Sequence, residues 1–148
     1  MTADAMDQLR IAIARRAVGE RDAVRLVGEV SATLTPVEIA RKTGLALPEV
    51  EDLIARSDTI PPVKDGFSGA DPYEIIQRYV IGELDRAQLL DELGRWEYTP
   101  EVYGEWEGYF PGDWQKYVEE ALREGLIDDS LYMAVSAARR SGGRSSGA

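Results

Sequence analysis

The sequence predicts an all-α fold with two parts, an N-terminal group of three helices and a small helical, aromatic-rich C-terminal module. Apolar residues recur at helical spacing, helix caps follow one another along the chain, and no segment alternates convincingly as a strand would. We assign residues 1–60 to the first domain, 61–71 to a linker, 72–140 to the acidic second module and 141–148 to a disordered tail.

The first helix is predicted to run from about Ala5 to about Ser31. Gly19 interrupts its apolar pattern, and because glycine costs about 1 kcal/mol in a helix interior, a bend or a break is expected there. The residues that set the helical period are Leu9, Ile13, Ala17, Val24, Val27 and Val30.

The second helix has the clearest start signal. Thr35 is a candidate N-cap, Pro36 suits the first helical position, and Glu38 completes a capping box. Gly44 closes this helix, where a left-handed residue is needed. Pro48 can then begin a third helix that ends at about residue 56.

The second half is divided by prolines, glycines and caps. The prolines after Ile60 stop the third helix, and 63–71 is rich in Gly, Ser and Asp, as in a linker or an ordered strap. Residues 96–112 are expected to be irregular. The predicted helices are Pro72–Ile81, one capped by Asp85 that reaches Leu93, one capped by Asp113 that reaches Arg123, and one from Asp128 or Asp129 to Arg139.

The net charge of −10 is concentrated in the second half. Residues 1–64 hold nine Lys/Arg against ten Asp/Glu, whereas 65–148 hold eight against seventeen. Such an imbalance favours two modules with different partners. The acidic half should repel phosphate backbones and suit a basic protein surface.

Cysteine and histidine are both absent. The chain therefore has no imidazole general base and no thiolate or imidazole ligand for zinc, and we assign no catalytic residue, metal or cofactor. An enzyme that uses carboxylates alone is a distant third alternative, behind a regulator and a protein–protein adaptor. No apolar run is long enough to span a membrane and no secretory signal is evident, so a cytoplasmic location is expected.

Residues 36–54 resemble the helix-turn-helix of bacterial DNA-binding regulators of the actinobacterial type. Two short helices that cross steeply need a small contact residue, a glycine corner and apolar wedges. The positions that match this pattern are Ile39, Ala40, Gly44, Leu45, Val50 and Leu53.

The resemblance implies operator binding by a dimer, since one short recognition helix contacts only a few base pairs. The candidate DNA-binding residues are Arg15, Arg16, Arg41, Lys42 and Arg56 for phosphates, with Ala46, Leu47, Glu49 and Asp52 facing the groove. The carboxylates could accept from cytosine amino groups, but they also repel phosphates. The alternative is a three-helix domain that serves protein contacts only.

Most of the aromatic residues lie between Trp96 and Tyr117, interleaved with acids. Acidic neighbours disfavour stacking on nucleic acid, which needs basic ones. These rings could build a small core, bind a partner protein, or do both. The candidate partner-binding residues are Trp96, Tyr98, Tyr103, Trp106, Tyr109 and Trp114.

Residues 79–84 and 89–93 resemble the helix pair of small antitoxins that neutralise Fic-type toxins, although the Ser/Thr-x-x-x-Glu-Gly/Asn inhibitory element has no clean copy here. Together the two resemblances imply a dimeric transcriptional regulator, such as the antitoxin or repressor of a toxin–antitoxin pair. The alternative is a protein–protein adaptor, for example a phage or immunity protein, that binds a basic partner surface without contacting DNA.

Overall fold

A computed structural model describes residues 4–106 and 108–145, without the side chains of 142–145. The chain is mostly helical, with one small two-stranded sheet in the described residues. No helix among these residues is both long and apolar enough to cross a membrane. The elements are α1 (Ala5–Val30), α2 (Pro36–Thr43), α3 (Leu47–Ser57), α4 (Pro72–Val80), α5 (Arg86–Arg95), β1 (Val102–Gly104), β2 (Gly108–Phe110), a π-helical turn (Trp114–Glu119), α6 (Glu120–Arg123) and α7 (Asp129–Ser145).

The chain forms two compact units. The N-unit is Arg16–Pro62 and contains most of α1 with α2 and α3. The C-unit joins residues 1–15 to 63–148, so the first turns of α1 belong to it.

The local signals around α2 are confirmed. The hydroxyl of Thr35 accepts from the Glu38 N–H at 3.2 Å, and the Glu38 carboxylate accepts from the Thr35 N–H at 3.3 Å, which completes the capping box. Gly44 has a φ of 79° and donates its N–H to the Ala40 carbonyl. The buried valine, isoleucine and leucine side chains of this unit are Val18, Val24, Val27, Ile39, Val50 and Leu53.

The break expected at Gly19 does not occur, since α1 is one helix of 26 residues. Val18 and Val24 are buried on either side of Gly19. Burial of a valine side chain contributes about 1.5–3 kcal/mol, which exceeds the cost of about 1 kcal/mol for one helical glycine. Packing therefore holds the helix through this position.

The C-unit core is built from helix faces. Ile75 and Ile76 of α4 and Leu89 and Leu93 of α5 are fully buried, and they pack with side chains of the π-helical turn, α6 and α7. Helices α5 and α7 approach closely at Gly94, where a Cβ atom would lie 3.0 Å from the Ala138 carbonyl oxygen. The N-caps at Asp71 and Asp85 accept from Glu74 N–H and Gln88 N–H, both at 2.8 Å.

Residues 63–71 form an ordered strap within the C-unit. The buried Glu92 carboxylate accepts from the Ser68 backbone N–H and hydroxyl and from the Gln88 amide. Arg95 donates to the Gly66 carbonyl at 2.8 Å. The strap is held by hydrogen bonds to side chains of α5, although it contains no helix or strand.

Three further expectations about local structure are corrected. Residues 102–104 and 108–110 form an antiparallel hairpin with Tyr103 opposite Tyr109, whereas no strand was expected. Asp113 does not cap a helix, because it has helical φ and its carboxylate accepts from the Thr99 N–H at 3.0 Å. Helix α7 continues to Ser145, so the tail predicted to be disordered is helical over 141–145, and 146–148 lie outside the described residues.

Candidate functional surfaces

The first candidate surface runs from α2 across the turn to α3 (residues 41–56), and we call it the α2–α3 surface. Arg41 and Lys42 lie in the last turn of α2 and are exposed. Ala46 is the N-cap residue of α3 and Leu47 its first residue. The exposed Glu49 and Asp52 follow on α3. The end of α2, the turn and the start of α3 thus bring most of the predicted DNA-binding residues into one short segment.

The remaining predicted DNA contacts are arginines outside this segment. Arg15 and Arg16 are exposed on α1, and the division into units falls between them. Arg56 lies in the last turn of α3, but it forms an ion pair with Glu20 of α1 and lies 3.7 Å from Asp52. The hydrogen bond to Glu20 raises the pKa of Arg56 above its ordinary value. The charge of Arg56 is therefore already compensated, and no local sequence pattern pointed to a partner 36 residues away.

The two helices of the α2–α3 surface carry opposite charges. The N-unit as a whole holds six Lys/Arg against eight Asp/Glu. Within the described residues, Arg41 and Lys42 form no ion pair, so the end of α2 is a local basic site. The exposed Glu49, Glu51 and Asp52 make α3 locally acidic.

Three predicted partner-binding residues pack inside the C-unit. Trp114 is only 7% exposed and donates from Nε1 to the Tyr132 hydroxyl at 3.1 Å. Tyr98 packs edge-on against Trp114 and donates to the Leu93 carbonyl, and burial raises its pKa well above the ordinary value. Trp96 is half-buried against the strap. These rings stabilise the fold and offer a partner little surface.

The other three lie on the second candidate surface, the β1–β2 hairpin of residues 102–106 and 108–110, which we call the aromatic hairpin. Tyr103 is 73% exposed and Trp106, in the turn, is 95% exposed. Tyr109 contacts Tyr103 with ring centroids 5.0 Å apart. On the other face the paired Val102 and Phe110 are 54% and 49% exposed, and sequence reasoning missed both as surface residues.

The base of the aromatic hairpin is fixed to the C-unit. The Asp113 N–H donates to the Thr99 carbonyl at 3.0 Å, and the Asp113 carboxylate accepts from the Thr99 N–H. Gly112 is buried at the crossing point, where a Cβ atom would lie 2.4 Å from the Thr99 carbonyl oxygen. The hairpin therefore leaves the unit from a tightly closed base, with its apolar side chains exposed beyond it.

Among residues 4–106 and 108–145, no group of three or more acidic side chains is placed to hold a metal ion. Comparisons with protein families, curated proteins and solved structures found no match to this chain.

Proposed function

We propose that this chain is a DNA-binding transcriptional regulator, of the kind that acts as antitoxin or repressor in a toxin–antitoxin pair, and that its C-unit binds a partner protein. The observation that carries the proposal is the turn at Gly44. A capped short helix ends there, and a second helix follows in which 47–49, 51 and 52 are exposed while Val50 is buried. This exposure pattern supports a helix with one face on the N-unit core and the other free for a DNA groove.

The proposed roles follow from the side chains. Arg41 and Lys42, free of ion pairs in the described residues, would neutralise phosphates and fix the orientation on the duplex. Leu47 would contact thymine methyl groups, and Glu49 would accept from a cytosine amino group. A homodimer would double these few contacts.

The test is the salt dependence of duplex binding, measured by fluorescence anisotropy with a labelled duplex from upstream of the gene for this chain. We expect the R41A/K42A double variant to bind more weakly to every sequence and to lower the log–log salt slope by about two, since each lost phosphate contact removes about 0.9.

The matched control is R86A/K116A, which removes the same charge from exposed positions of the C-unit. A regulator should lose much less affinity in this control than in R41A/K42A. Equal losses in the two variants, or no duplex binding by the native chain at low salt, would contradict the proposal.

The second candidate function is an adaptor that binds a basic protein and no DNA. It is favoured by the compensated charge of Arg56 and by the three exposed carboxylates of α3. Under this alternative the native chain would bind no duplex, while its protein-binding activity would remain.

A further inference from the structure

We propose that the aromatic hairpin binds an extended, basic segment of a partner protein by strand addition. This inference deepens the protein-binding part of the proposed function and rests on it. It assigns the binding to residues 102–106 and 108–110 and names the partner as a segment that alternates basic and apolar residues.

The hairpin exposes apolar side chains on both of its faces. Tyr103 and Tyr109 share one face, and Val102 and Phe110 share the other. Trp106 in the turn is 95% exposed, so that five large apolar side chains of the hairpin face the solvent. Two-stranded hairpins without a packed face are marginal in water, so a covering partner would complete the element.

The hairpin also has unpaired strand edges. In the part of the chain that the structure describes, β1 and β2 pair only with each other. The outer edge of each strand therefore offers backbone N–H and C=O groups to an incoming strand. The closed base at Thr99 and Asp113 holds this template in place before binding, which lowers the entropy lost on docking.

Charge complementarity selects the occupant. Glu101 and Glu105 flank the apolar side chains, and Glu101 accepts from the Tyr109 hydroxyl at 3.0 Å. The C-unit holds eleven Lys/Arg against nineteen Asp/Glu. At the hairpin, nucleic acid and the acidic C-unit of a second copy would both be repelled, whereas a strand of alternating basic and apolar residues pairs with the acids and covers the rings.

The test uses the full chain and a fluorescein-labelled peptide of about ten residues in which lysine and valine alternate. Anisotropy should show saturable binding that weakens as salt increases. Three matched peptides should bind at least about tenfold more weakly: one with glutamate for lysine, one with serine for valine, and one with N-methyl groups on alternate backbone amides.

Two variants locate the site. Trp106→Ala should weaken peptide binding about tenfold or more, while Met133→Ala, which also removes an exposed apolar side chain of the C-unit, should leave it unchanged. Glu105→Gln should weaken binding more than Glu97→Gln, its exposed counterpart outside the hairpin. Because Trp106 is so exposed, its removal should leave thermal unfolding unaltered, so that a loss of binding reports on the surface.

Several results would overturn the inference. Unchanged binding by Trp106→Ala, or equal binding of the N-methylated peptide, would exclude strand addition at the hairpin. Tighter binding to phosphatidylcholine vesicles than to the peptide would assign the surface to lipid. A dimer that Trp106→Ala dissociates in sedimentation would assign it to a second copy. Trp106→Ala should leave the affinity for the DNA duplex unchanged. A failure of peptide binding at the hairpin can therefore be told apart from a failure of DNA binding.

Discussion

Replacement of Gly44 by alanine should destabilise the N-unit through backbone strain alone. The φ of 79° lies in the left-handed region, and a Cβ atom at Gly44 would meet no heavy atom within 4 Å. Steric overlap with neighbours therefore adds nothing. The free energy of unfolding falls only because an L-residue disfavours left-handed φ, by about 1–2 kcal/mol. In urea this corresponds to a midpoint lower by roughly 0.5–1 M, followed by circular dichroism.

Two control variants make this prediction specific. Gly44→Asn should cost less than Gly44→Ala, because asparagine tolerates left-handed φ. Gly19→Ala should have the opposite sign and stabilise by about 0.5–1 kcal/mol, since Gly19 lies inside α1 with open space around it. A neutral Gly44→Ala variant, or equal losses for alanine and asparagine, would refute the account of the turn.

Three further substitutions test the packing and charge of the two units. Burial raises the pKa of Tyr98 in the folded state, so stability should fall as pH rises above about 10, by up to about 1 kcal/mol per pH unit, and Tyr98→Phe should show a shallower fall in urea titrations at each pH. Glu92→Gln should cost about 2–3 kcal/mol and speed amide hydrogen exchange at Ser68, because the buried carboxylate accepts the bonds that fix the strap. Glu20→Gln should free Arg56 and raise duplex affinity about two- to fivefold if α3 lies on DNA.

Each of these has a result that contradicts it. An identical pH profile for Tyr98→Phe and the native chain would remove Tyr98 as the source of the alkaline loss. Glu97→Gln, at an exposed site, should be nearly neutral, and a cost equal to that of Glu92→Gln would point to net charge instead of the strap. Duplex affinity unchanged by Glu20→Gln would mean that Arg56 lies away from phosphates.

Features that depend on a few neighbouring residues could be predicted from the sequence. The capping box at Thr35, the left-handed Gly44 and the N-cap at Asp85 each follow from side chains within four positions, and the structure has all three. Gln88 stands three residues after Asp85, the spacing of a capping box, but only the bond from the Gln88 N–H to Asp85 forms. The Gln88 side chain does not return to Asp85 but donates to Glu92, a choice set by the buried carboxylate next to it.

Features that depend on distant packing could not be predicted. The aromatic segment gave no alternation of apolar and polar residues, because the hairpin exposes apolar side chains on both faces and so lacks the usual strand pattern. For the same reason the sequence could not separate the buried Trp114 from the exposed Trp106. The partner of Arg56 was hidden too, since Glu20 lies on another helix.

The most direct test of the regulator proposal is an amide NMR titration of the ¹⁵N-labelled full chain with the upstream duplex. We predict the largest chemical-shift changes in residues 41–52, which span the end of α2, the turn and the first turns of α3, and none in the aromatic hairpin. Shifts confined to residues outside α2 and α3, or a spectrum that the duplex leaves unchanged at low salt, would contradict the assignment of DNA binding to the α2–α3 surface.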